Sequence, residues 1–437
     1  MSGIAVGGAL LGGLVLLLII RVPIAVAMLV AGMAGYAALA GTGPLLGWLK
    51  GGAYDRFADY GLSVVPLFVL MGQFAVRAGL SRALFDAAQS WLGHRRGGLA
   101  LAAVGACAGF GAVCGSSLAT AATMAKVALP EMRRHGYPGG LATGTLAAGG
   151  TLGILIPPSL VLVLYAVLTE QSVGKMFVAA LLPGLLAVLG YMVAASVAAR
   201  RLGLAAPAPA SATARRRGLA TLWPVAAIFA LVIGGIYGGW FTPTEGAAVG
   251  AGATGLLALA RRRLDRAALA DCLLETASIT AMIFLILLGA EIFNAALALS
   301  RLPQIAADAV AGSGWPPLAV VGAILVLFLA LGCVMDSLSM ILLTVPILFP
   351  VVAGLDLGLP AEETAIWFGV LALIAVEVGL ITPPVGLNVF VINALARDVP
   401  LSASFRGVVP FFLSDLARIA LLVAFPSISL GLVRLLG

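Results

Sequence analysis

Hydroxyls, one carboxylate and free backbone oxygens gather at four interruptions of an otherwise apolar chain. These are Cys114-Gly115-Ser116-Ser117, Pro157-Pro158-Ser159, the stretch from Gly332 to Asp336-Ser337, and Thr382-Pro383-Pro384. A proline cannot continue a helix arriving from its N-terminal side, and it pushes the preceding residue toward extended geometry. It is nonetheless a good first-turn residue for the helix that follows. Each Pro-Pro pair therefore reads as two half-helices meeting end to end. In lipid such a break survives only where protein or a water-filled cavity covers it. The freed carbonyls, with the hydroxyls of Ser116, Ser117, Ser159, Ser337 and Thr382, are hard oxygen ligands suited to dehydrated Na⁺, while half-helix N-termini suit an anion's carboxylate. Taken singly, each Ser or Thr is better read as a cap or a bond back to a carbonyl. Four interruptions in two matched pairs favour the ligand reading. Asp336 is the sharpest single residue: a carboxylate at membrane depth costs about 2.5–3.5 kcal/mol on insertion scales, which points to a place at or beside a cation. The rival reading is a helix cap. Glu377, Glu291 and Asn294 are weaker candidates, readable as bonds between helices. Lys126 reads as snorkelling and Asp415/Arg418 as a structural i,i+3 ion pair.

The elements that position these groups are membrane helices. Of 437 residues, 62% are hydrophobic and only 10% charged, against about a quarter charged in soluble domains. The apolar runs are too long and too unalternating for barrel strands. The net charge of +7 sits on arginines between apolar runs, as topology signals rather than a nucleic-acid patch. Cys107, Cys114, Cys272 and Cys333 show neither metal nor disulfide spacing. The two histidines, His94 and His135, lie at loop edges, and neither HExxH nor GxSxG occurs; an enzyme is not expected. Met1 to Ile20 lacks a basic n-region and reads as the first membrane helix.

Residues 1–61 read as N-terminal scaffold helices, with a mixed-charge loop over Gly41–Tyr60 that has room for a short interfacial helix. Residues 62–200 form a first repeat, with a hairpin over 97–135 and a broken helix over 141–168. Residues 201–218 read as a polar cytoplasmic linker, and 219–263 as a scaffold helix pair. Residues 264–437 form a second repeat, with a hairpin over 316–350, a broken helix over 366–396 and a last span over Val408–Leu432. Two amphipathic stretches, Arg77–Arg96 and Leu264–Glu275, read as interfacial helices, and Trp240 and Tyr60 as interfacial anchors. The halves match in order, with Pro157 and Pro383 offset by 226 residues. The arginines decide the sense of the duplication. One orientation puts 18 Lys/Arg inside and five outside; the positive-inside rule selects it. It makes the halves antiparallel, an all-α polytopic protein with an inverted-topology repeat, two re-entrant hairpins and two Pro-Pro-broken helices, and it places the N-terminus in the periplasm. The first hairpin enters from the cytoplasm and the second from outside.

Five runs then carry a resemblance: CGSSLATAATMAKVALPEM, GTLGILIPPS, WFTPTEGAAVGA, CVMDSLSMILLTVPILFPVV and GLITPPVGLNVFVINA. In this order, over nearly the whole chain, they resemble the large membrane subunit of tripartite ATP-independent periplasmic (TRAP) transporters. The family is similar in fold to divalent-anion/Na⁺ symporters that work as elevators. The resemblance implies a bacterial or archaeal inner-membrane permease that takes an organic anion, such as a C4-dicarboxylate or sugar acid, from a periplasmic substrate-binding protein. It implies Na⁺ as the coupling ion with no cofactor, and a small four-helix membrane subunit, expected here as a separate chain. Carried over by motif, one Na⁺ site uses Gly115, Ser116 and Ser117 with Gly153 and Pro157. The other uses Gly332, Asp336 and Ser337 with Gly379, Thr382 and Asn388. Ser116, Thr120, Pro158, Ser159, Pro383, Pro384 and Val385 fall in the substrate's vicinity. The alternative within this class is a standalone Na⁺/dicarboxylate symporter or Na⁺/H⁺ antiporter that needs no binding protein.

Overall fold

Helix starts in this chain are set by capping side chains. In the computed structural model, which describes residues 3–206, 209–312 and 314–436, Ser116, Ser159, Ser172, Ser211, Thr242, Asp265 and Asp336 each accept a backbone N–H three residues on. That bond satisfies one of the donors a helix start leaves free. The described residues form helices and no strands.

The first half runs α1 (Gly3–Ile19), α2 (Ile24–Ala40), α3 (Thr42–Phe57), a 3₁₀ turn (Tyr60–Ser63), α4 (Val64–Arg77), α5 (Leu80–Leu92), α6 (Gly98–Cys114), α7 (Ser117–Arg134), α8 (Gly139–Leu155), α9 (Leu160–Leu168) and α10 (Val173–Arg201). Between the halves lie α11 (Ala212–Tyr237) and α12 (Pro243–Ala260). The second half runs α13 (Arg266–Ser300), α14 (Leu302–Gly312), α15 (Pro317–Gly332), α16 (Ser337–Ala353), α17 (Ala361–Gly379), α18 (Leu387–Leu395), α19 (Leu401–Ala424) and α20 (Ser427–Leu436). The 17- and 18-residue α6 and α7, and the 16- and 17-residue α15 and α16, fall short of the roughly 20 residues a full crossing needs.

Several boundaries differ from the sequence reading. The expected linker over 201–218 is shorter, because Ser211 caps α11 and the Ala/Arg-rich segment after it is a strong helix former; Pro207 and Ala208 lie outside the described residues. The amphipathic stretch Leu264–Glu275 is not a separate helix. Asp265 starts one 35-residue helix that runs unbroken to Ser300, with no Pro and no Gly before Gly289. The helix within the mixed-charge stretch Gly41–Tyr60, α3, is longer than the short one expected, at 16 residues. The expected last span, Val408–Leu432, divides at Phe425-Pro426 into α19 and α20, since Pro426 has no N–H to continue the ladder. Over Arg77–Arg96 the apolar face of α5 is buried at Leu80, Leu84, Phe85 and Ala87 and packs on α6 and α11.

The two halves interlock. α6 and α7 both pack on α8, and α15 and α16 both pack on α17. Each second half-helix then crosses to the other repeat: α9 packs on α16 and α17, and α18 on α7 and α8. α10 and α19 pack on each other and on both broken helices. Where α8 meets α19 the backbones nearly touch: a Cβ on Gly144 would lie 2.5 Å from the Gly407 carbonyl oxygen. Beside this contact the Thr143 hydroxyl donates to Ser404 Oγ at 2.9 Å. The outer faces carry exposed Leu185, Leu189 and Val193 on α10 and Val15, Leu16 and Ile19 on α1, a surface that lipid rather than water satisfies.

One bond holds α17 to α19 through the core. Trp367 is buried, and its Nε1 donates to the Leu422 carbonyl at 2.9 Å. Trp367→Phe strands that carbonyl, so it is expected to cost about 1–3 kcal/mol and to lower the thermal midpoint of the detergent-solubilised protein; an unchanged midpoint would remove this bond from the account.

Candidate functional site

The first hairpin tip is seated on the first break. α6 ends at Gly115, whose φ of +66° is the left-handed conformation glycine favours. Ser116 is extended, and its Oγ accepts the Ala119 N–H at 3.4 Å to begin α7. A Cβ on Gly115 would lie 3.1 Å from the Pro158 carbonyl oxygen. One on Gly153 would lie 2.7 Å from the Ser116 carbonyl oxygen and would collide with Thr120 Oγ1. α8 and α9 meet at 46°, across a cis Pro157-Pro158 bond. Ser159 is fully buried and caps α9 through the Leu162 N–H at 3.3 Å. Ser117 Oγ is buried with no hydrogen-bond partner, and the buried Thr120 Oγ1 has only the Cys114 thiol beside it. Each stranded hydroxyl costs about 1–3 kcal/mol, which an ion coordinated there would recover.

The second tip repeats this with a longer break. α15 ends against α17 at Gly332, where a Cβ on Gly379 would lie 2.6 Å from the Gly332 Cα. In the first half, a Cβ on Gly111 would lie 2.6 Å from the Gly153 Cα. Gly153 and Gly379 each stand four residues before the first proline of their break, so both hairpins cross their broken helix at the same level. Asp336 caps α16, its Oδ2 accepting the Ser339 N–H at 3.0 Å, and Ser337 beside it is buried. The Thr382 hydroxyl donates to the Val378 carbonyl at 2.6 Å. Gly386, at φ +61°, donates its N–H to the Cys333 carbonyl at 3.1 Å, tying break to tip. The Pro383-Pro384 bond is cis.

Asn388 joins the two breaks. It opens the second half-helix, takes a backbone bond to Leu380 at 3.0 Å, and reaches across to α8, where Nδ2 donates to the Ala147 carbonyl at 3.2 Å. Its Oδ1 is buried without a partner. Asn388→Leu removes the bond and the free oxygen together. It is expected to lower the initial uptake rate about tenfold or more, as a stranded group of 1–3 kcal/mol implies, at equal amounts of protein in the membrane; a rate within twofold of the parent would refute the role.

The sites predicted from sequence thus divide. Gly115, Ser116, Ser117, Thr120, Gly153, Pro157 and Pro158 come together at one tip, and Gly332, Gly379 and Asn388 around the other. Ser116, Ser159, Asp336 and Thr382 spend their polar atoms on the caps and back-bonds their residue types favour. The breaks also differ in cover: Pro157, Pro158 and Ser159 are buried, whereas Pro383 and Pro384 are exposed and Val385 is half-buried. Sequence reasoning missed Thr145 on α8, whose buried Oγ1 has no partner. It carried no signal beyond being a polar residue in an apolar helix. No group of three or more His, Cys, Asp or Glu that could hold a metal occurs among the described residues.

The family model for the tripartite ATP-independent periplasmic transporter, DctM component, matches residues 11–428. The chain is 38% identical to a C4-dicarboxylate TRAP transporter large permease protein, DctM, of Pseudomonas aeruginosa, covering 88% of each chain. It is 32% identical to a sialic acid TRAP transporter large permease protein, SiaM, of Vibrio cholerae, again covering 88% of each. Among solved structures, the Alcanivorax borkumensis YdaH transporter superposes with a TM-score of 0.63 at 14% identity, over 89% of this chain and 90% of that one. That likeness extends to the fold.

Proposed function

We propose, for a chain that belongs to the DctM family and is thereby the large permease component of a tripartite ATP-independent periplasmic (TRAP) transporter, that it imports an organic anion in symport with Na⁺. The single observation that carries this reading is the pairing of tips and breaks. Two hairpin tips each abut a broken helix at the same level, and buried oxygens without partners lie at both. Such oxygens suit a small, hard, dehydrated cation. Ser116, Ser117, Thr120 and the backbone beside Gly153 and Pro157 would hold one Na⁺. Gly332, Asp336, Ser337, Gly379, Thr382 and Asn388 would surround a second. The half-helix starts at Ser159 and Leu387 present free N–H groups, which attract a carboxylate. The substrate class is a carboxylate such as a C4-dicarboxylate or sugar acid, in keeping with what the relatives from P. aeruginosa and V. cholerae are named for.

Alternating access would follow from the interlock. Because α9 and α18 exchange between repeats, hairpins and broken helices form one body able to move as an elevator against a scaffold built on α2, α13, α4 and α12. The second break stands open and the first covered, which fits one end state of such a movement. The partners in this reading are a small four-helix membrane subunit and a periplasmic binding protein, and the setting is a bacterial or archaeal inner membrane with the N-terminus in the periplasm.

The test is uptake into proteoliposomes holding the chain and its small subunit. Uptake of a C4-dicarboxylate or sugar acid is expected only when the substrate arrives on its binding protein. Equal uptake of free substrate would instead establish a standalone symporter or antiporter and overturn the assignment of partners.

A further inference from the structure

At one end of the molecule the fold gathers arginines that lie far apart in sequence. Trp91, in the last turn of α5, donates its indole N–H to the Arg215 carbonyl at 3.3 Å. Three residues on, a Cβ on Gly218 would lie 2.6 Å from Ser90 Oγ. A Cβ on Gly97 would lie 2.5 Å from the Ala199 Cβ. These contacts bring Arg95-Arg96, Arg200-Arg201 and Arg215-Arg216-Arg217 to one rim. Arg215 is half-buried and the others are exposed.

The rim has no acids to match. Asp86 on α5 is held by Arg82 at 3.4 Å, Glu131 on α7 by Arg134 at 3.1 Å, and Asp398, between α18 and α19, by Arg133. Among the described residues no ion pair uses any arginine of the rim. Arg215 Nε is buried with no hydrogen-bond partner.

A cavity of about 370 Å³ opens beside these arginines. Gln89, Ser90 and His94 line it from the end of α5 and the loop after it, His135 from the end of α7, and Ala210 from the segment before α11. His94 Nδ1 is buried without a partner. Ala210 stands one residue before the Ser211 cap, so the positive end of α11 meets the lining. Asp86 also lines the cavity, and it is the carboxylate that Arg82 already holds.

α11 carries the feature that separates a phospholipid from a soluble anion. Arg216, Leu219 and Trp223 are all exposed, and their i, i+3, i+7 spacing puts them on one face. The helix is long and apolar enough to cross a membrane. A basic group above an apolar stripe on such a helix matches a phosphate headgroup above its acyl chain. Clusters of arginine beside a membrane helix attract anionic headgroups, and in the orientation that the positive-inside rule selects this end meets the anionic cytoplasmic leaflet.

We propose that this rim is a binding site for an anionic phospholipid. The phosphate sits among the arginines at the mouth of the cavity, and an acyl chain lies along Leu219 and Trp223. The lipid bridges the ends of α5 and α10 to the start of α11, and α5 leads directly into the first hairpin. The site is separate from the two breaks and needs neither the ions nor the substrate of the transport cycle.

The thermal midpoint of the full-length protein in a non-ionic detergent tests this without any transport assay. Phosphatidylglycerol, phosphatidylcholine and glycerol 3-phosphate, the soluble headgroup, would be added separately. Phosphatidylglycerol is expected to raise the midpoint saturably, and the other two to leave it where it is. Arg215→Gln/Arg216→Gln/Arg217→Gln should raise the half-saturating concentration of phosphatidylglycerol about a hundredfold, since each arginine beside an anionic lipid is worth about fivefold. Arg262→Gln is the control and should match the wild type. Its neighbour Arg263 reaches Gly79, at the opposite end of α5. No rise with phosphatidylglycerol, or an equal rise with phosphatidylcholine, overturns the proposal. So does an equal rise with glycerol 3-phosphate, which would make the ligand a soluble anion, or an equal loss in Arg262→Gln, which would make the effect one of diffuse charge. The three additions to the wild type decide the matter even if the triple variant fails to fold.

Discussion

Replacing Gly153 with valine is expected to cut uptake about a hundredfold while leaving the protein inserted and folded. Gly153 is where α8 passes under the first hairpin tip. A Cβ there would collide with Thr120 Oγ1 and stand 2.7 Å from the Ser116 carbonyl oxygen. The carbonyl belongs to backbone that also starts α7, so it cannot rotate away; the tip must lift by a good part of an ångström. A displacement of about 1 Å in a positioned site is enough to cost about 10²-fold. The fold absorbs it because the hairpin is held along its length by α8. Gly252→Val is the control, since a Cβ on that helical glycine of α12 meets nothing within 4 Å. Initial uptake rates at matched membrane content decide the point. Gly153→Val retaining half the parent rate would mean that the tip's seat on the break does not matter.

Asp336→Asn is expected to raise the Na⁺ concentration for half-maximal uptake about tenfold, the equivalent of 1.4 kcal/mol, and to leave stability nearly unchanged. The residue does two jobs in this account, and the substitution separates them. Asn caps a helix as well as Asp does, so the bond to the Ser339 N–H survives and α16 still begins at Ser337. Only the charge is lost. Asp336→Ala removes the cap as well and should lower the thermal midpoint besides. A Na⁺ response identical to the parent in Asp336→Asn, with impairment in Asp336→Ala alone, would reduce Asp336 to a cap.

Much of the architecture could be read from local chemistry. The Pro-Pro pairs fixed both breaks, because proline's missing N–H and ring clash act within one turn. Ser116, Ser159 and Asp336 marked helix starts because capping is likewise local. Asp415 and Arg418 form the i,i+3 pair their spacing suggested. The errors came where local signals were weak or read too strongly. Arg215-Arg216-Arg217 looked like linker, although arginine is a good helix former, and Ser211 draws them into α11. Pro426 went unweighted, and the last span is two helices.

What stayed hidden was long-range. The crossing of α9 and α18 between repeats is a matter of packing that periodicity does not encode. So is the reach of Asn388 to Ala147, 241 residues away in sequence. Asp415 could be read as the partner of Arg418, but its bond to Tyr191, 224 residues away in sequence, could not.

The most direct measurement of the central claim is the Na⁺ dependence of uptake. Proteoliposomes holding the chain with its small subunit would be given substrate-loaded binding protein under inward Na⁺ gradients of increasing size, with K⁺ replacing Na⁺ at constant ionic strength. Two ions held at two matched tips predict a rate that climbs more steeply than a simple hyperbola in Na⁺ and vanishes in K⁺. A rate indifferent to the exchange of Na⁺ for K⁺ would contradict the assignment of ions to the hairpin tips.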